Sequence, residues 1–100
     1  MKFAYRILSL AANEILEAAV WYDDQRDGLG DELILNFEAS LNTILRNPFA
    51  YQLRFKDLRL VNISRFPFQI IYYVEKNLVT VIAFHHSKKS TRHWSRRKKK

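Results

Sequence analysis

Arg65-Phe66-Pro67-Phe68-Gln69-Ile70-Ile71-Tyr72-Tyr73-Val74-Glu75-Lys76-Asn77-Leu78-Val79-Thr80-Val81-Ile82-Ala83-Phe84-His85-His86 holds two runs of β-branched and aromatic residues separated by the polar break Glu75-Lys76-Asn77. Side chains of this kind suit a pleated, buried surface, and so short a break closes an antiparallel hairpin. Pro67 stands at the start of the first run, where a missing N–H does least harm to a ladder. The hairpin is the expected middle of the sheet. With a period of two, Phe68, Ile70, Tyr72 and Val74 share one face and Gln69, Ile71, Tyr73 and Glu75 the other, and the first set makes the better core face.

Working outward, Leu58 to Ile63 reads as the preceding strand, with Arg59, Val61 and Ile63 on one side and Leu58, Leu60 and Asn62 on the other. Phe49 to Lys56 is aromatic, basic and irregular, a loop expected against the sheet edge. Before it, Leu33, Phe37, Leu41 and Ile44 or Leu45 recur at helical spacing, and Asn47-Pro48 stops that helix because proline disfavours the helical region at the residue before it. Asp31 and Glu32 suit its positive N-terminal end. Arg26-Asp27-Gly28-Leu29-Gly30 contains both glycines of the chain, as a tight connection between helices requires. An earlier helix spans about 10 to 25, with Ala11, Ile15, Ala18, Ala19 and Tyr22 on one stripe and Ser9 as the expected N-cap. Residues 3–8 are rich enough in strand formers to make a first strand. The order is β-α-α-β-β-β, an α+β single domain in which an antiparallel sheet carries a helical hairpin on one face.

Composition bounds the partners. One hundred residues that are 48% hydrophobic, with seven Phe and five Tyr, make one folded domain with a single core. Arg6 and Glu14 interrupt the apolar residues near the start, so no export signal or membrane span is read, and the absence of cysteine suits a reducing cytoplasm. The formal net charge of +7 is unevenly placed. Residues 1–86 hold nine Lys/Arg against ten Asp/Glu, a balance of −1, whereas residues 87–100 hold eight Lys/Arg and no acid, a balance of +8. The chain therefore divides into a domain over 1–86 and a basic tail over 87–100. Within the domain, residues 7–47 carry eight acids against two bases, and residues 48–86 carry five bases against two acids. A polyanion should meet the sheet half or the tail, with salt-sensitive affinity and no reading of sequence.

Arg59, the Arg65-Phe66-Pro67-Phe68 step, Tyr72 or Tyr73, the Val-rich second strand of the hairpin, His86 and Trp94 resemble the C-terminal half of the RelE/ParE toxin superfamily of bacterial toxin–antitoxin modules. Ala18, Trp21-Tyr22, Gly28-Leu29-Gly30, Phe37, Leu41, Ile44 and Asn47-Pro48 fall in the order and spacing of the same family's helical hairpin, so the resemblance covers nearly the whole chain. It implies a cytoplasmic toxin of a type II, plasmid-stabilisation kind of system, with no cofactor and no metal, held by a cognate antitoxin whose extended or helical segment wraps it. Two branches of the family differ in activity. Members that cut messenger RNA on the ribosome carry arginine where this chain has Gln69, and arginine after the last strand where Lys88 and Lys89 stand. The branch that poisons DNA gyrase is closer in the Arg-Phe-Pro-aromatic step, although its Arg-Asp-Pro after the strand is here Lys89-Ser90-Thr91.

The residues themselves leave chemistry open. His85 and His86 are neighbours in a strand and point to opposite faces, which works against joint metal ligation, and His93 stands alone. His86 reads either as a hydrogen-bonded residue at a strand end or as a general acid or base. A metal-free ribonuclease needs a base, an acid and cations at the scissile phosphate, which Arg59, His86, Lys88 and Lys89 would supply. A gyrase inhibitor needs a binding surface, for which Arg59, Arg65, His86, Lys88, Lys89 and Arg92 are the candidates. Arg59 has a structural alternative, pairing with Asp57 or Glu75, and Trp21 and Trp94 read as packing residues. Two helices cover one side of a sheet, so Ile71 and Tyr73 on the other side, with Phe49, Tyr51 and Phe55 of the nearby loop, are expected to meet the antitoxin. The favoured expectation is a gyrase-directed inhibitor. The alternatives are a ribosome-dependent messenger RNA endonuclease and a non-toxic binding module of the same fold.

Overall fold

In the computed structural model, which describes residues 3–88, the two runs pair antiparallel as β4 (Phe68–Glu75) and β5 (Leu78–His86), joined by Lys76-Asn77. They are preceded by β1 (Ala4–Ile7), α1 (Ser9–Gln25), α2 (Leu29–Arg46), β2 (Leu53–Phe55) and β3 (Leu58–Asn62). The sheet runs in the order β1-β5-β4-β3-β2, so the hairpin occupies its middle. The α+β class and the helical hairpin on one face are as the sequence leads one to expect.

Two pairings depart from it. β1 lies parallel to β5, with Ala4 opposite Leu78 and Ile7 opposite Val81, so the sheet is mixed and not antiparallel throughout. No hairpin ties β1 to a neighbour: the chain passes from Ile7 through Leu8 directly into α1, and the crossover sets the strand's direction. The stretch expected as a loop over 49–56 also contributes β2, which pairs antiparallel with β3 through Leu53 and Arg59. At the start of α1 the cap position is Leu8, with no side-chain cap, and Ser9 is already helical.

The two glycines of the helix connection have different tasks. Gly28 caps α2 at φ 87°, a left-handed conformation that side chains resist, although nothing lies within 4 Å of where a Cβ would stand. Gly28→Ala should therefore cost only the backbone term, about 1 kcal/mol, read as a shift in the denaturant midpoint without a change in slope. Gly30 is where α1 and α2 touch: a Cβ there would collide with the carbonyl oxygen of Ala19 and lie 2.8 Å from Cγ of Asp23. Its N–H donates to the Asp23 carboxylate at 2.7 Å.

The core lies between the helices and the sheet. Ala11, Ile15, Ala18 and Ala19 of α1 and Leu33, Phe37, Leu41, Ile44 and Leu45 of α2 pack on Val61, Ile70, Tyr72, Val79, Val81 and Phe84. Opposite Ile71 and Tyr72, β5 carries a bulge, since Ile71 faces Ala83 while Tyr72 faces Val81. The extra residue, Ile82, joins Ala83 on the second face, which turns Phe84 and His86 towards α1. The Glu14 carboxylate of α1 accepts a hydrogen bond from the Phe84 N–H beside this bulge at 3.0 Å.

The second face corrects another expectation. Ile71 is 1% exposed and Tyr73 5%, and with Leu58, Ile82 and Ala83 they form a separate buried cluster flanked by Leu8 and Leu60. Arg6 reaches across from β1, donating to the Thr80 hydroxyl at 3.1 Å and to the Tyr73 hydroxyl at 3.4 Å. Neither Ile71 nor Tyr73 is an open apolar surface waiting for a partner. Among the described residues no helix is long and apolar enough to cross a membrane.

Candidate functional site

Arg59 points from β3 towards the turn that follows α2. Its guanidinium donates to the carbonyls of Tyr51 and, at 3.5 Å, Phe49, and lies 5.4 Å from the centre of the Phe49 ring. The neighbouring strand braces the same turn: the Tyr72 hydroxyl, fully buried, donates to the Pro48 carbonyl at 2.6 Å. Burial pushes the Tyr72 phenol up from 10.0 to about 12; the Arg59 charge pulls the other way, and Tyr51 adds a smaller rise. Both of these acceptors are backbone carbonyls.

His86 sits at the far end of the sheet. In register terms Arg59 faces Tyr72 and His86 faces Phe68, four residues apart along β4 and two strands across. At the strand's ordinary rise and spacing that is about 13 Å along and roughly 10 Å across, with buried Ile70 and Phe84 between them. His86 lies edge-on to Phe68 at 5.4 Å, and its Nδ1 accepts the Lys88 N–H at 3.2 Å, which leaves Nε2 to carry the proton of the neutral ring. It borders a cleft of about 330 Å³ lined also by Glu14, Glu17, Ala18, Phe68, Phe84 and His85. The structure therefore does not bring Arg59 and His86 to one reacting centre.

Arg65 has a positive φ of 72° and pairs with Glu32 of α2 at 2.7 Å, on a surface exposed enough that the pair contributes little to stability. Lys88 is exposed at the exit of β5. Lys89, Arg92, Trp94 and the remainder of the tail to residue 100 lie outside the described residues.

Gln69 has a definite place. Its amide accepts from the His85 ring at 2.9 Å and donates to Asn62 at 3.0 Å, making a polar ladder across β3, β4 and β5. The amide offers both an acceptor and a donor to these partners; a guanidinium there would have donors only. Among the described residues no three His, Cys, Asp or Glu side chains gather where a metal ion would be held.

Besides the separately exposed Tyr5, Leu10 and Leu35, the exposed large apolar residues among the described ones gather in two places. One is the β2 edge, where Phe49 is 57%, Leu53 54% and Phe55 36% exposed, with Tyr51 half-buried behind them and Arg54 and Lys56 alongside. β2 is an edge strand, so one side of its backbone is unpaired in the sheet. The other is the outer side of α1, where Leu16, Val20 and Trp21 are 58%, 62% and 57% exposed. Trp21 meets Tyr22 edge-on at 4.9 Å but is not buried in packing as the sequence reading had it. The signal was present in the sequence: Leu16, Val20 and Trp21 fall off the stripe that Ala11, Ile15, Ala18 and Tyr22 define.

No protein-family model and no curated protein matches the chain. Among solved structures, a chain of the chromosomal ParDE TA system from P. aeruginosa has a TM-score of 0.76 to it at 11% identity, covering 87% of this chain and 98% of that one. The chain has a RelE/ParE-like fold.

Proposed function

We propose that this ParE-like chain is the toxin component of a type II toxin–antitoxin system, that it works in the cytoplasm, that a cognate antitoxin neutralises it, and that it inhibits DNA gyrase without making or breaking a bond. The toxin reading is supported by the fold, which extends over nearly the whole of a chain from a ParDE system. The choice of gyrase over ribosome-bound messenger RNA is supported by one observation above others. Arg59 and His86, which a nuclease would need at one phosphate, lie on the strands either side of β4, level with positions four residues apart along it, and Arg59 already holds the Phe49 and Tyr51 carbonyls.

In this reading the target meets Arg65, His86, Lys88, Lys89 and Arg92. The antitoxin meets Phe49, Tyr51 and Phe55 at the β2 edge, where an extended segment can add a strand. Induced expression of the full chain in bacteria should stop growth, and co-expression of the cognate antitoxin should restore it. A chain that leaves growth unchanged would favour a non-toxic binding module of this fold.

Replacing Lys88, Lys89 and Arg92 by alanine, singly and together, should weaken gyrase inhibition in steps of about two- to fivefold each, more steeply at low salt than at high. Each removes one positive charge. An all-or-none loss from one of the three would point instead to a catalytic group.

A further inference from the structure

We propose that the outer face of α1 is a docking groove for a cationic amphipathic segment of the antitoxin, with apolar side chains on Leu16, Val20 and Trp21 and lysine or arginine beside Glu17 and Asp24. This rests on the toxin reading for the source of the segment, and it adds a second contact far from the β2 edge in both place and charge.

Leu16 and Val20 lie one helical turn apart and Trp21 beside them, and the groove they line with Glu17 and Asp24 measures about 400 Å³. Such a stripe on a helix whose opposite side already packs on the sheet has no structural task within the described residues. Its rim selects the partner. Residues 7–47 hold eight acids against two bases. Of those two bases, Arg26 pairs with Glu32 at 3.7 Å and Arg46 lies at the far end of α2. A second copy of this chain, presenting the same face, would set Glu17 and Asp24 against their own kind, so self-association is disfavoured on charge. A basic segment gains attraction on both flanks. Glu17 also borders the cleft with Phe68, Phe84 and His86, so one carboxylate edges both the groove and that aromatic recess. A lysine or arginine head placed there would meet a carboxylate and the Phe68 ring together.

The test uses the full chain and a fluorescent model peptide with leucines at helical spacing flanked by lysines, beside the same peptide with glutamate at each lysine. Anisotropy titration should show the lysine peptide binding about tenfold or more tightly than its glutamate counterpart. Glu17→Lys and Val20→Asp should each weaken it about tenfold, a loss of about 1.4 kcal/mol. Leu35→Asp, at a position 63% exposed on α2, should leave binding unchanged. In cells, Val20→Asp should still arrest growth but escape the antitoxin that rescues the wild-type chain. Equal binding of the two peptides, an equal effect of Leu35→Asp, or conversion of a wild-type dimer to a monomer by Val20→Asp would overturn the proposal. So would full rescue of Val20→Asp and Glu17→Lys by the antitoxin while the toxin reading stands. A chain that never arrests growth would remove the antitoxin as the source of the segment and overturn the proposal in that respect, while the peptide titration would still decide the chemistry of the groove.

Discussion

Gly30→Ala will destabilise the chain by about 3 kcal/mol, the upper part of the range for overpacking a close contact. In a domain of this size that lowers the melting temperature by on the order of 10–25 °C. The sign is what makes the result informative. Alanine in a helix is ordinarily better than glycine by about 1 kcal/mol, so on propensity alone the substitution should stabilise α2. At this position the added carbon would meet a backbone oxygen, that of Ala19, and the Asp23 side chain. Asp23 cannot swing away without giving up its bond to the Gly30 N–H. The helices must therefore separate, which opens the contact of Leu33 and Phe37 with α1 and the sheet. Thermal melts of Gly30→Ala and Gly28→Ala side by side measure the difference between collision and backbone strain. A Gly30→Ala variant as stable as the wild type would show that the close crossing of the helices is not as described.

Tyr72→Phe will cost about 1–3 kcal/mol, the penalty for leaving a buried acceptor without its donor, because the ring keeps its packing while the Pro48 carbonyl loses its bond. The same hydroxyl sets a pH dependence. The phenol titrates at 10.0 when unfolded and about 12 in place, so its protonated form is favoured by folding. Its contribution is fully present below pH 10 and is lost as pH rises towards 12, since the unfolded chain releases the proton first. Urea titrations of both proteins should therefore show the wild type ahead at pH 8 and its advantage shrinking above pH 10. A difference that stays constant across that range would mean that the phenol is not buried as described.

Helices, hairpin and core face were legible because each rests on a local period: three to four for Leu33, Phe37 and Leu41, two for Phe68, Ile70 and Tyr72. Features set by distant contacts were not. β2 is three residues without alternation and exists because β3 offers it an edge. The parallel placement of β1 follows from the crossover, which no residue of β1 encodes. The bulge at Ile82 looks like ordinary strand until the register is known. The candidate site divides in the same way. Arg59, Phe49 and Phe55 were picked out by residue type, but Arg59's commitment to carbonyls eight and ten residues earlier depends on how the turn folds back. Ile71 and Tyr73 were placed on the correct face, yet their burial is a property of the closed second cluster and not of the strand that carries them.

The most direct measurement adds the purified full chain to DNA gyrase with relaxed plasmid and, in parallel, to translating ribosomes with a messenger RNA. The account predicts that supercoiling is blocked, that the block weakens as salt is raised, and that the messenger RNA stays intact. Uninhibited gyrase together with ribosome-dependent cleavage of the messenger RNA, abolished by Arg59→Ala or His86→Ala alone, would contradict it.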